Sequence, residues 1–369
     1  MQHVINNMCN IKTSVYSIWY RLVFFLLIIG CQYIIISYGN YYVIFTNNIL
    51  NWYERVRGYS KRRNTSLNKI VNSILGFSIG DALGVPYEFK ERNSFKCTGM
   101  IKSRKDSYHG ALPKGTWSDD TSLMLCVLDS LRGKTEEEQY EIFRKNAIGW
   151  KEEGEFTATG VVFDIGTSCN LGIAYMKYRS ENKSAMDITS NGNGGLMRVL
   201  PLCFLKYKDN EELLKKVEIF NSCSHNHIIS NVGCLIYILL AKELLKVNKL
   251  ESALKEVINN IEDKYKIPEY KNIWTLEILN KNENEIKSSG YVVDTLESCI
   301  YSLNNSSSYK EAIIKAVNLG GDTDTIGALT GGLASLNYSI PLIYKLNLKR
   351  RKEIVQLSRY DFINDLNLF

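Results

Sequence analysis

The chain has 369 residues, 45% of them apolar and 23% charged, the make-up of an ordinary globular protein with a sizeable core. Its formal charge of +6 is spread along the chain with no basic run interleaved with aromatics, which sets nucleic-acid binding aside. Nine cysteines without a Cys-x-x-Cys pair argue against a disulfide framework or a zinc site, and four scattered histidines argue against a histidine-based metal centre.

The first predicted element is apolar. Leu22 to Phe45 carries no charge, and as a helix rising about 1.5 Å per residue it would exceed the roughly 30 Å hydrocarbon thickness of a bilayer. Gln32, Gly39 and Asn40 interrupt it. Lys12 and Arg21 precede it, whereas Arg55, Arg57, Lys61, Arg62 and Arg63 follow, so the positive-inside bias puts the C-terminal part in the cytoplasm, anchored by this single helix. A translated upstream extension is the alternative; a cleaved signal peptide is disfavoured, because no small-x-small site follows. The expected division is an N-terminal extension over 1–62 and a globular domain over 63–369.

From Leu67, the residues Ile70, Val71, Ile74 and Leu75 recur at helical spacing and lead to Gly80-Asp81-Ala82-Leu83-Gly84. Val85-Pro86-Tyr87-Glu88 follows, where proline disfavours helix and leaves Glu88 on an irregular segment. Glu88 is expected to be free to move, with a solvated surface carboxylate as the alternative. After a loop over 91–115, Trp117-Ser118-Asp119-Asp120-Thr121 heads a helix that buries Leu123, Met124, Val127, Leu128 and Leu131. A further helix is predicted over Phe163–Met176. Then comes Ser190-Asn191-Gly192-Asn193-Gly194-Gly195-Leu196-Met197-Arg198, whose glycines expose backbone N–H groups suited to phosphate oxygens.

Leu213 to Leu245 reads as two helices separated by Ser222-Cys223-Ser224-His225-Asn226-His227, the second apolar nearly all round and so a core element. The stretch 246–289 is polar and is expected to be mostly solvated surface. Gly290-Tyr291-Val292-Val293-Asp294 leads into another helix, and Tyr309–Leu319 forms the one that ends at Gly320-Gly321-Asp322-Thr323-Asp324-Thr325. This last stretch sets four hard oxygen ligands after two glycines, a pattern that suits Mg²⁺ or Mn²⁺ and equally suits a polar helix cap. A second acidic pair, Asp119-Asp120, favours the metal reading, because carboxylates buried together repel one another unless cations neutralise them. Few alternating strand patterns and no dinucleotide-binding or Walker loop occur, so an all-α fold is predicted.

In order and spacing, Gly80 to Gly84 with Glu88, Trp117 to Thr121, Gly192 to Arg198, Ser224-His225 and Gly320 to Thr325 resemble the successive motifs of the ADP-ribosylglycohydrolase family. The resemblance spans about Leu67 to Tyr344 and leaves out the apolar N-terminus. It implies a compact multi-helix domain with a cleft holding two divalent cations, Mg²⁺ or Mn²⁺, that removes ADP-ribose from modified protein side chains. On this resemblance the metal ligands fall on Ser118, Asp119, Asp120, Asp322, Asp324 and Thr325. Ser118 stands where the family usually has threonine; the hydroxyl is kept on a looser rotamer.

The resemblance puts the catalytic groups on Glu88 and Asp119. Substrate contacts fall on Asp119, on a diphosphate loop of Ile188, Thr189, Ser190, Asn191, Gly192, Asn193 and Gly194, on His225, and on Val292. The partner it implies is an ADP-ribosylated protein or another ADP-ribose compound, with a monomer as the default. Two rival readings stay open, a non-catalytic binding or structural relative and a hydrolase of a free ADP-ribose compound.

Overall fold

A computed structural model describes residues 68–359. The N-terminal extension over 1–62 and its apolar stretch over 22–45 lie outside these residues. The described residues are helical, with no strand among them; a lone antiparallel bridge pairs Gly192 with Tyr291. α1 (68–84) runs into a single 3₁₀ turn, Val85–Tyr87. α2 (Asp119–Ser130) is buried on all sides, and the longer α3 (Glu136–Glu153) packs beside it. Thr135 caps α3 by accepting from the Glu138 amide at 3.2 Å, and Gly154 ends it in the left-handed region at φ 73°.

α4 (Thr167–Lys177) starts later than the sequence pattern predicts. Gly166 takes its N-cap position, so Phe163 to Ile165 stay irregular and Asp164 is carried on a loop. α5 (Asn210–Asn221) and α6 (Ile228–Lys246) flank the segment containing His225, as their periodicity predicts. α6 is long and apolar enough to cross a membrane, yet most of it is buried against neighbouring helices, which makes it the core helix. α7 (Leu250–Asn260) opens the polar stretch, and this stretch is less solvated than its composition suggests: Tyr265, Tyr270, Ile273, Ile278 and Ile286 all reach the core. α8 (Val292–Asn304), α9 (Tyr309–Asn318) and α10 (Thr323–Asn337) pack on one another, and the short α11 (Leu342–Asn347) and α12 (Arg351–Leu357) close the described part. Every cysteine among the described residues is free and buried.

One contact sets the frame of the cleft. Gly76, Gly80 and Gly84 recur every fourth residue along α1 and so share one face, which lies directly on the main chain of α10. A Cβ on Gly80 would sit 1.9 Å from the Gly327 oxygen, one on Gly76 2.6 Å from the Gly331 oxygen, and one on Gly84 2.2 Å from the Thr323 oxygen. Only glycine permits this approach. Thr323 Oγ1 also donates to the Gly84 oxygen at 2.9 Å, joining the end of α1 to the start of α10.

Candidate active site

The start of α2 is held by Asp81, a fully buried carboxylate of α1. It accepts from the amide of Ser118 at 2.9 Å, and from the amide and hydroxyl of Thr121 at 3.0 and 2.6 Å. Burial pushes its pKa up to about 7 in spite of these donors. Asp81 thereby points Ser118, Asp119 and Asp120 toward the start of α10. There the Gly320-Gly321 turn, at φ 73° and 68°, lets the chain double back so that Asp322 sits before the helix and Asp324 in its first turn.

These acids line one cleft. Ser118 Oγ and Thr325 Oγ1 lie 3.2 and 3.3 Å from Asp120 Oδ2, and Asp324 Oδ1 accepts from the Thr325 amide at 2.9 Å. Asn193 Nδ2 donates to Asp322 Oδ2 at 2.7 Å and to Thr295 Oγ1 at 3.0 Å. Asp120 Oδ1 is buried without any hydrogen-bond partner, the condition of an oxygen made for a cation. Burial, then the neighbouring acids, raises the Asp120 and Asp324 carboxyls well above their ordinary range. The donor set of carboxylates and hydroxyls fits a hard divalent cation.

Glu88 departs from expectation. It lies on the irregular segment after the 3₁₀ turn, but that segment is tied down: the Phe89 amide donates to the Gly321 oxygen at 2.8 Å, the Gly321 amide to the Lys90 oxygen at 2.9 Å, and Ser107 Oγ to the Pro86 oxygen at 3.1 Å. Glu88 is therefore not solvated in this structure; its side chain is buried with Oε2 2.5 Å from His109 Nε2. Burial raises its pKa, an effect opposed by His109 and reinforced by Asp322 and Asp119.

His109 also lies 3.7 Å from Asp164 Oδ2, and Glu88, His109 and Asp164 offer ligand atoms within 4.8 Å of one another, a group able to hold a cation. Burial and the adjacent Asp119 push Asp164 up to about 10, and burial raises Asp119 as well. Neither His109 nor Asp164 stands out in the sequence, because each sits in a loop without a spacing pattern.

The opposite wall is the glycine loop. Gly192, Asn193 and Gly194 line a cleft of about 240 Å³ together with Glu88, Asp119, Asp120, Asp322, Asp324, Thr325 and His225. The Asn193 amide is spent on the Gly290 oxygen, while the amides of Gly192 and Gly194 meet no acceptor among the described residues. Arg198, buried and central, fixes this wall: Nε donates to the Gly194 oxygen at 2.7 Å and an Nη to Ser224 Oγ at 2.9 Å, which in turn meets His225 Nδ1 at 2.9 Å. Burial beside Arg198 lowers His225 to about 3, so the imidazole is neutral. His227 serves as the N-cap of α6.

The remaining predicted contacts lie apart from the cleft lining. Ile188 and Thr189 are exposed, and Ser190 and Asn191 are buried within the loop. Asn191 accepts from the Ser230 amide at 3.1 Å. Val292 has its side chain in the core, and only its amide, 2.9 Å from the Asn191 oxygen, touches the loop.

Comparison with known proteins agrees with this geometry. A model of the ADP-ribosylglycohydrolase family matches residues 62–366. An ADP-ribosylarginine hydrolase of Serratia proteamaculans is 27% identical over 303 residues, 80% of each chain. An ADP-ribosyl-dinitrogen-reductase glycohydrolase of Rhodospirillum rubrum is 26% identical over 296 residues, covering 78% of this chain and 93% of the relative. A solved structure described as an ADP-ribosylglycohydrolase-related protein complex superposes with a TM-score of 0.65 at 24% identity, over 81% of this chain and 98% of that one, and so shares the fold. With a family match over most of its length and the acidic clusters, buried glutamate and glycine loop gathered in one cleft, the chain belongs to the ADP-ribosylglycohydrolase family.

Proposed function

We propose that this protein is a divalent-cation-dependent hydrolase that removes ADP-ribose from modified protein side chains by cleaving the glycosidic bond at the distal ribose. The observation that carries the reading is the cleft itself, with free Gly192 and Gly194 amides on one wall, an acidic floor, and the buried Glu88 at its edge. The two amides bind the diphosphate, and neutral His225, which lines the same cleft, packs against the loop, where a Cβ on Gly194 would meet its ring at 2.6 Å.

Ser118, Asp119, Asp120, Asp322, Asp324 and Thr325 would hold the cations, Mg²⁺ or Mn²⁺. When bound, such cations supply Lewis-acid polarisation and a template for the ribose hydroxyls. Glu88, its carboxyl raised by burial and its side chain oriented by His109, gives a proton to the departing acceptor atom as the bond to the anomeric carbon breaks. Water adds to that carbon, and the proton it releases returns to Glu88. The products are free ADP-ribose and the unmodified side chain.

The test is release of ADP-ribose by the full chain from ADP-ribosylated protein, with Mg²⁺ or with EDTA. Cation-dependent release supports the hydrolase, and tight ADP-ribose binding without release from any substrate would overturn it. The apolar stretch over 22–45 anchors the domain to a membrane from the cytoplasmic side; recovery of the full chain in the soluble fraction without detergent would contradict this.

A further inference from the structure

Two large exposed aromatic side chains, one lining the cleft and the other packed against it, are not used by the core. Phe89 follows Glu88, lines the cleft and is 57% exposed, and Tyr108 is 67% exposed. Their rings meet edge to face with centroids 4.6 Å apart. Tyr108 meets His109 in the same way at 4.8 Å, and His109 meets Phe163 at 5.1 Å. An aromatic file thus runs from solvent past the Glu88–His109 pair to the residue preceding Asp164.

Phe89 is also strained. Its φ of 59° lies in the left-handed region, which a bulky side chain seldom adopts, and the hydrogen bond its amide donates to the Gly321 oxygen holds it there. Stability alone would favour glycine at this position, and a large apolar ring would favour burial. Strain and exposure combined beside a reacting group mark a residue kept for contact with a ligand.

We propose that Phe89 and Tyr108 form the acceptor platform of the cleft, the Phe89 ring stacking on the planar guanidinium of an ADP-ribosylated arginine side chain and Tyr108, at 83° to it, bracing that ring, while Glu88 and Asp164 face the guanidinium N–H groups. The proposal rests on the hydrolase reading and names the linkage it acts on. A guanidinium is flat, weakly hydrated and cationic, so it gains from aromatic faces and from carboxyl oxygens in a partly desolvated site. A serine-linked ADP-ribose offers neither a plane nor a charge at that position.

The test uses the full chain with cation and two peptides of one sequence, ADP-ribosylated on arginine or on serine. The arginine-linked peptide is expected to be preferred by about 10-fold or more in kcat/KM, and Phe89→Ala should raise its KM about 5- to 30-fold while kcat stays within about 2-fold. Phe89→Tyr should restore KM. Phe89→Gly removes the ring and relieves the left-handed strain, so it should repeat the KM loss without lowering Tm.

Calorimetric affinity for free ADP-ribose should be unchanged in all three variants; a general disturbance of the loop beside Asp322 would change it. The platform is overturned by an unchanged KM in the Ala and Gly variants, by a matching loss of ADP-ribose affinity, or by preference for the serine-linked peptide. A wild-type chain that releases nothing from either peptide overturns the hydrolase reading, and this proposal with it.

Discussion

Asp120→Asn should make the protein more stable without cations and less stable with them. Asp120 is fully buried, its Oδ1 has no partner, and burial together with Asp81, Asp119 and Asp322 raises its carboxyl. A group whose folded-state pKa is raised stabilises fully only below its unfolded value, and that stability is lost as pH rises. Between an unfolded value near 3.9 and pH 7 the loss is at most about 4 kcal/mol, at about 1.4 kcal/mol per pH unit. The repulsion is shared among several acids, so the expected gain from Asn at pH 7 in EDTA is about 1–3 kcal/mol, or roughly 2–4 °C in Tm per kcal/mol. Cation at about 100 times its Kd should stabilise the wild type by about 2.7 kcal/mol, and the variant should lose most of that gain. Thermal unfolding in EDTA and in a Mg²⁺ titration reads both effects. A variant less stable than wild type in EDTA, or one that keeps the whole Mg²⁺ shift, would refute the reasoning.

Three further outcomes are expected. Glu88→Gln keeps ADP-ribose affinity by calorimetry and loses about 10²–10⁴-fold in release rate; an undiminished rate would remove Glu88 from proton transfer. Gly80→Ala puts a methyl 1.9 Å from the Gly327 oxygen, backbone that cannot yield, and should cost about 2–4 kcal/mol in a urea titration; a loss under about 0.5 kcal/mol would mean that α1 and α10 part easily. His225, lowered to about 3 in the fold, must take up a proton on unfolding below its usual 6.5. Its contribution to stability therefore falls as pH drops, by about 2 kcal/mol between pH 6.5 and pH 5. His225→Gln should lack this slope, and equal slopes for variant and wild type would contradict the buried neutral imidazole.

Much of this site can be read from local pattern. Asp119-Asp120 and Asp322-x-Asp324 stand where apolar periodicity begins, so their position at helix starts follows from the chain itself, and the α5–α6 break around His225 follows in the same way. The burial of Glu88 is not legible in the chain, because what holds it is remote: a histidine side chain in the loop before α2 and the main chain of Gly321. Asp164 was hidden because the apolar residues around it look helical until Gly166 takes the cap. The stretch over 246–289 looked solvated because its buried tyrosines and isoleucines are spaced by short 3₁₀ turns without a helical period.

The main-chain contact between α1 and α10 determines how the site can fail. At Gly80 and Gly84 the two main chains touch without side chains between them, so nothing compressible separates the element carrying Asp81 from the one carrying Asp324 there. The bite of the acidic floor is thus set by van der Waals radii, and sequence drift elsewhere in the core can alter stability without altering it. Gradual widening on warming is not open to such a joint, whose two surfaces either touch or separate. Cation affinity is then expected to be lost in the same step as the fold, not ahead of it.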